Sequence, residues 1–274
     1  MTLTQMRQLL EARGIQLTKS LGQNFLHDVH QLERIAAAAD LTEADRVLEI
    51  GPGLGPLTRL LVQHSHEVLA VEKDARLVRV LEQEFESVPT LRLLHADALD
   101  WLKAEQRDWS GWKMVSNLPY SVASPILVEL CQGERSPKLI VATLQLEVVQ
   151  RLMAQPASKD YGVLTLLIQL DYQPEWHFKI PSGCFFPQPD VESACVVLKR
   201  RAAALLSESR RKDFKRVVKQ AFSQRRKMMF KLLKQQWKLD ALDAAFQKLG
   251  LSSQIRAEAV SLEQFVQLTS ELAG

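Results

Sequence analysis

The chain has 274 residues, of which 46% are apolar and 24% charged, with a net charge of +3. That balance excludes a disordered, collagenous or membrane-spanning protein and is ample for a buried core without staples. The three cysteines, Cys131, Cys184 and Cys195, form no Cys-x-x-Cys pair and stand near no His at zinc-ligand spacing, so no metal, no disulfide frame and a reducing compartment are expected.

The opening residues, Met1 to Gln8, carry no apolar signal stretch, and no run approaches the roughly 18 apolar residues of a membrane span, so the expected location is cytoplasmic, with no membrane partner. Further along, short β-branched and apolar runs alternate with helical stretches, the pattern of a mostly parallel sheet covered by helices. The predicted strands are Arg46 to Ile50, Glu67 to Val71, Leu91 to His95, Met114 to Asn117 and Leu139 to Leu146. Predicted helices between them include Leu57 to Gln63, Ala75 to Phe85 and Pro125 to Leu130. Val163 to Leu170 and Ser193 to Leu198 read as edge strands, joined by a connection containing Pro174, Pro181, Pro187 and Pro189. From Ser207 the pattern turns helical and basic. The expected organisation is an α/β, Rossmann-like domain over 1–204, with an N-terminal arm 1–28, and a small helical domain over 205–274.

Val47-Leu48-Glu49-Ile50-Gly51-Pro52-Gly53-Leu54-Gly55 reads as a strand entering a glycine-rich turn and then a helix. A dinucleotide fingerprint wants its third glycine at position 56, where this chain has Pro56, which argues against a nicotinamide enzyme. Glu72 ends the next strand, 21 residues after Gly51, where a carboxylate can accept both ribose hydroxyls of a nucleoside. Asp97 follows the third strand, where it can accept from an exocyclic amine. Each acid alone reads equally well as a helix cap or a surface residue. Together they mark the carboxyl edge of an open α/β sheet, where ligands bind.

The fourth strand ends in Ser116-Asn117-Leu118-Pro119-Tyr120. An adenine amine is a poor nucleophile because its lone pair is delocalised into the ring, so a site that methylates it should hold the NH2 by acceptors and let the nitrogen pyramidalise. The Asn117 side-chain oxygen and the Leu118 or Pro119 carbonyl can supply two acceptors, Pro119 stiffens the turn, and Tyr120 can stack on an unpaired base. The competing reading is a Pro-containing turn after a buried strand.

Charge is unevenly distributed. Arg210 to Lys238 holds twelve basic residues against Asp213 alone, a segment charge of +11 that leaves the remainder at −8. Such asymmetry points to nucleic acid or another anionic surface, although a basic run is often only a solvated helix face. The six histidines show no metal-ligand pairing and read as surface or cap residues. The isolated tryptophans read as core or half-buried anchors rather than base platforms.

The chain resembles the small-subunit (16S) ribosomal RNA adenine N6,N6-dimethyltransferases over nearly its whole length. The resemblance is carried by Ser20-Leu21-Gly22-Gln23-Asn24-Phe25-Leu26, Glu49 to Gly55, Asn117 to Tyr120, Phe185-Phe186-Pro187-Gln188-Pro189 and Ala221-Phe222-Ser223-Gln224-Arg225-Arg226-Lys227. It implies a class I S-adenosylmethionine-dependent methyltransferase sheet with S-adenosylmethionine as donor. By the resemblance, Asn24 and Leu26 close over the cofactor, Gly51 lies at the turn, Glu72 meets the ribose, Asp97 the adenine, and Asn117 lies near the methionine part. It also implies that Asn117, Leu118, Pro119 and Tyr120 hold the target adenine, with Phe185, and with less support Phe186, on the other face of the base. Arg7, Arg13, Lys19 and the basic tail would grip small-subunit ribosomal RNA in the immature 30S particle, with a monomer as the default state. Three positions depart from the family pattern: Ser116 where Gly is frequent, Leu146 where Lys is common, and Asp190 where a basic residue is frequent. Rival readings are adenine methylation of DNA or large-subunit RNA, and a non-catalytic ribosome-assembly factor.

Overall fold

Val47 to Ile50 and Val68 to Glu72 are buried without alternation, as strands covered on both faces must be. The computed structural model describes residues 1–17, 22–105 and 107–272. Its strands are β1 (Phe25–Leu26), β2 (Arg46–Ile50), β3 (Glu67–Glu72), β4 (Leu91–His95), β5 (Trp112–Asn117), β6 (Leu139–Gln145), β7 (Tyr172–Ile180), β8 (Phe185–Phe186) and β9 (Ser193–Arg200). Seven form one sheet in the order β4-β3-β2-β5-β6-β9-β7, and β1 pairs with β8 in a separate antiparallel ribbon. Strands β2 to β6 run parallel, whereas β9 is antiparallel to β6. The order reverses between β2 and β5, which is where an open α/β sheet leaves a crevice.

The helices are α1 (Leu3–Ala12), α2 (Val29–Ala38), α3 (Pro56–His64), α4 (Ala75–Glu84), α5 (Ala98–Ala104), α6 (Ala123–Leu130), α7 (Leu146–Met153), α8 (Val163–Gln169), α9 (Arg211–Ala221), α10 (Met229–Leu233), α11 (Leu239–Lys248) and α12 (Leu262–Leu272). Local chemistry sets their starts. Thr2 and Gln5 form a capping box on α1, and the Asp28, Asp74 and Asp97 carboxylates cap α2, α4 and α5. Pro56 opens α3, a position where its missing N–H costs nothing.

The chain divides into two units, Met1–Val149 with Gln173–Arg200, and Gln150–Tyr172 with Arg201–Gly274. This differs from a single division at residue 204, because Gln150–Tyr172 belongs with the helical unit. The run Val163 to Leu170, expected as an edge strand, is helix α8. The Thr165 hydroxyl accepts from the Gly162 N–H at 3.1 Å and closes the first turn, while Leu166 and Leu170 join a core with Phe214, Val217, Val218 and Phe265. A short apolar run fits a buried helix as well as a strand, and packing decides between them. Conversely, β7 arises from the stretch expected as a connection; it holds Pro174 at the sheet edge, where a missing N–H is tolerated. Trp109 and Trp112 are buried, but Trp176 on β7 is 44% exposed.

Candidate active site

At the carboxyl ends of β2 to β5 a pocket is lined by residues from Gly22–Phe25, the glycine turn, Glu72–Lys73, Ala96–Leu99 and Asn117–Pro119. The β2–β5 ladder stops at Leu48 and Met114, and beyond it the strands part. The freed Ile50 N–H donates to the buried Ser116 hydroxyl at 2.8 Å. Serine at the departing position 116 therefore has a physical role, because it satisfies a buried donor that the widening crevice leaves unpaired.

The turn that follows is built for close approach. Gly51, Gly53 and Gly55 have φ of +72°, +63° and +80°, which L side chains rarely adopt. A Cβ on Gly53 would lie 2.7 Å from the Phe25 ring, and one on Gly51 would press on the Pro119 ring at 3.2 Å. Glycine thus lets Phe25 and Pro119 form the pocket walls.

Glu72 is buried at the end of β3. Its Oε1 accepts the Lys73 and Asp74 N–H groups, each at 2.9 Å, and its Oε2 accepts the Gly53 N–H at 3.2 Å. Three of about four acceptor positions are used, so one remains for a ribose hydroxyl rather than the two expected. Burial raises its pKa despite the three N–H donors. Asp97 caps a helix, one of the readings its position allowed, and also lines the pocket. Its Oδ1 caps α5 through the Leu99 and Asp100 N–H groups, and its Oδ2 pairs with the Lys73 ammonium at 2.7 Å, while its residue lines the pocket. The Lys73 hydrogen bond leads in holding its carboxyl below the usual range. Glu49, one strand in from Glu72, is 1% exposed, and burial pushes its carboxyl up to about 8.

Asn117 ends β5. Its side-chain NH2 donates to the Asn24 carbonyl at 3.0 Å, which fixes the orientation of the amide. The other amide atom, Oδ1, is buried and has no partner among the described residues. A buried acceptor left unpaired is costly, and it lies on a residue that lines the pocket. The Leu118 N–H donates to the Thr143 carbonyl at 3.2 Å, and the Pro119 carbonyl accepts the Val122 N–H at 3.1 Å, which favours the Leu118 carbonyl as second acceptor. Half-buried Tyr120 shares a hydrogen bond with the Ser193 hydroxyl, and burial pushes its phenol up to about 12.

The other expected residues fall less neatly. Asn24 lines the pocket, but Leu26 is 1% exposed in the core, so it does not; Gln23 and Phe25 stand there instead. Phe185 pairs with Leu26 across β1 and β8 and is 3% exposed in the same core. Phe186 is half-buried beneath the Arg7 guanidinium, 5.0 Å from the ring centroid. Lys19, Ser20 and Leu21 lie outside the described residues. Sequence reasoning missed Lys73, which lines the pocket, and Ser193, which holds the Tyr120 hydroxyl; neither carried a local signal.

In the helical unit the basic run occupies one face of α9 and the loop after it. Phe214, Val217, Val218 and Ala221 are buried, while Lys212, Arg216 and Lys219 are exposed. Arg225 donates to the Lys159 carbonyl, whereas Arg226 and Lys227 are simply exposed. Among the described residues no helix is long and apolar enough to cross a membrane.

Known proteins are similar to this chain over most of its length. The family described as "Ribosomal RNA adenine dimethylase" matches residues 14–274. The chain is 36% identical to ribosomal RNA small subunit methyltransferase A of Natranaerobius thermophilus, over 95% of this chain and 93% of that protein. It is 37% identical to the protein of the same name from Geobacter metallireducens, over 95% and 97%. Among solved structures it is similar to the 23S rRNA methyltransferase ErmE, with TM-score 0.68 and 28% identity over 91% of this chain and all of that one. A dimethyladenosine transferase from Plasmodium falciparum, 22% identical over 89% of this chain and 95% of that one, shares the fold with TM-score 0.75. With its crevice at the β2–β5 switch point and a match running from residue 14 to the end, the chain belongs to the ribosomal RNA adenine dimethylase family.

Proposed function

We propose that the chain dimethylates the N6 amines of adjacent adenosines in a loop near the 3' end of small-subunit ribosomal RNA, using S-adenosylmethionine. The observation that carries this reading is the orphaned Asn117 Oδ1, a buried acceptor awaiting a donor on a pocket-lining residue. The pocket residues fit the cofactor: a glycine cradle that a Cβ would fill, a buried carboxylate with an acceptor position left, and the Asp97–Lys73 pair. S-adenosylmethionine bound there supplies a methyl group activated by a sulfonium.

Asn24 and Gly51 wall the cofactor, Leu26 only backs that wall from the core, and Glu72 and Asp97 hold its nucleoside part. Asn117 Oδ1 and the Leu118 carbonyl accept from the target amine and turn its lone pair toward the methyl group. Alignment is most of the catalytic task here, since the methylated nitrogen is acidic enough to lose its proton without a strong base. A Tyr120 phenol near 12 stays neutral and serves as a stacking surface rather than a base. Phe185, buried in the core, supports the opposite wall from β8 rather than presenting its ring to the base. Because the reacting nitrogen is inaccessible in a stacked helix, the target is an unstacked loop adenosine.

The basic face of α9 and the following loop grip the RNA of an immature small ribosomal particle in the cytoplasm, with the chain acting as a monomer. The small subunit is favoured over the large one because relatives named for it reach 36–37% identity over nearly the whole chain, against 28% for ErmE. The test is methyl transfer by Asn117→Ala. A folded variant retaining full activity would overturn the reading, and a loss of about a hundredfold or more is expected.

A further inference from the structure

The segment Gly22–Phe25 walls the pocket, yet no helix or long strand holds it. Beside the short Phe25–Phe186 pairing, two side chains on opposite sides of the crevice anchor it. On the β5 side, Asn117 donates to the Asn24 carbonyl at 3.0 Å. On the β3 side, Gln23 Nε2 donates to Asp74 Oδ2 at 2.9 Å. Asp74 is itself gripped by Arg76, whose Nε meets Oδ1 at 2.9 Å and whose Nη2 meets Oδ2 at 2.6 Å. The remaining arm of the same guanidinium, Nη1, donates to the Gln16 carbonyl at 3.0 Å. One carboxylate–guanidinium pair therefore ties down the chain at both residue 16 and residue 23.

The placement of this pair matters because Asp74 lies two residues after Glu72 and donates its own N–H to the Glu72 carboxylate at 2.9 Å. The Asp74 side chain is only 5% exposed, so its charge-assisted bonds are poorly screened. We propose that Asp74 and Arg76 are positioning residues of the methyl-transfer site. By anchoring Gln23 they hold the Asn24 carbonyl where it orients the Asn117 amide, leaving Oδ1 directed at the target amine. The inference rests on the reading of this pocket as the methyl-donor site. The Arg76 hydrogen bond leads in holding the Asp74 carboxyl down at about 2, so the anchor stays ionised across the working pH range.

The full-length chain is titrated with S-adenosylhomocysteine by calorimetry, and kcat and KM are measured, for wild type, Gln23→Ala, Asp74→Asn, Arg76→Ala and the Gln23→Ala/Arg76→Ala pair. Asn is as good an N-cap as Asp, so Asp74→Asn keeps the start of α4 while weakening the grip of Arg76. Each single variant is expected to weaken cofactor binding about five- to tenfold and to lower kcat as well; Gln23→Ala keeps the melting temperature of the free protein within about 2 °C of wild type, whereas Asp74→Asn and Arg76→Ala lower it by several degrees because the Asp74–Arg76 pair also stabilises the fold. The pair is expected to be little worse than Arg76→Ala alone, since both act through one carboxylate. Wild-type affinity and kcat in folded Gln23→Ala and Asp74→Asn would overturn the proposal, as would a fully additive pair. A wild-type chain that bound no S-adenosylhomocysteine would instead overturn the reading of the pocket, and the anchor with it.

Discussion

Asn117 concentrates the chemistry of the site in one amide, with one end spent on the Asn24 carbonyl and the other end buried and unpaired. Asn117→Asp keeps the shape but replaces the NH2 with a second acceptor, so the Asn24 carbonyl loses its donor and a charge enters the crevice. Activity is expected to fall about a hundredfold or more, with substrate RNA still bound, as measured by single-turnover methylation and filter binding. Glu49 is the other residue with a sharp consequence. Its folded pKa, pushed up to about 8 by burial and to a lesser degree by Glu72, exceeds the ordinary 4.5. The folded chain thus holds a proton that the unfolded chain has released, and this contribution to stability is lost as pH rises from 4.5 through about 8. Glu49→Gln is expected to flatten the stability profile and to melt about 3 °C or more above wild type at pH 8 while matching it near pH 5. Parallel melting profiles for the two proteins would refute the assignment.

The glycine turn and the parting of β2 from β5 act together, since one opens the crevice and the other lets backbone line it. Gly53 and Gly250 share a φ of +63°, but only Gly53 faces a ring at 2.7 Å, while nothing lies within 4 Å of Gly250. Gly250→Ala should therefore cost only the left-handed backbone strain, about 1–2 kcal/mol, whereas Gly53→Ala should cost more and also weaken cofactor binding at least tenfold. Chemical denaturation with cofactor titration separates the two. Most of this site was legible in the sequence, because strand ends, glycines and acids of an open α/β sheet fall at fixed spacings. Helix α8 was not, since Val163 to Leu170 is a short apolar run broken only by Thr165 and Gln169, too short for its period to separate a helix from a strand. Strand β7 was hidden by Pro174, and the burial of Leu26 and Phe185 followed from the two-residue β1·β8 pairing, which no local pattern announces. The Ser116 hydroxyl was a departure whose purpose emerged only once the strands were seen to part.

On the scale of the whole molecule, +11 of charge sits between Arg210 and Lys238 in a chain of net charge +3. The α9 face explains how this run serves twice, with an apolar side in the helical core and Lys212, Arg216 and Lys219 outward. RNA affinity is expected to fall steeply with salt. Arg226→Ala combined with Lys227→Ala should lower the slope of log affinity against log salt by about one to two, leaving cofactor affinity unchanged. Arg225 is a poorer probe, because its guanidinium is bound to the Lys159 carbonyl and its removal would also break that contact. The most direct test of the whole account is transfer of labelled methyl from S-adenosylmethionine to immature small ribosomal particles, with large-subunit RNA and DNA as controls and nucleoside mass spectrometry of the product. N6,N6-dimethyladenosine in the small-particle RNA alone is the expected result; tight binding to the particle without transfer, or transfer to a control instead, would contradict it.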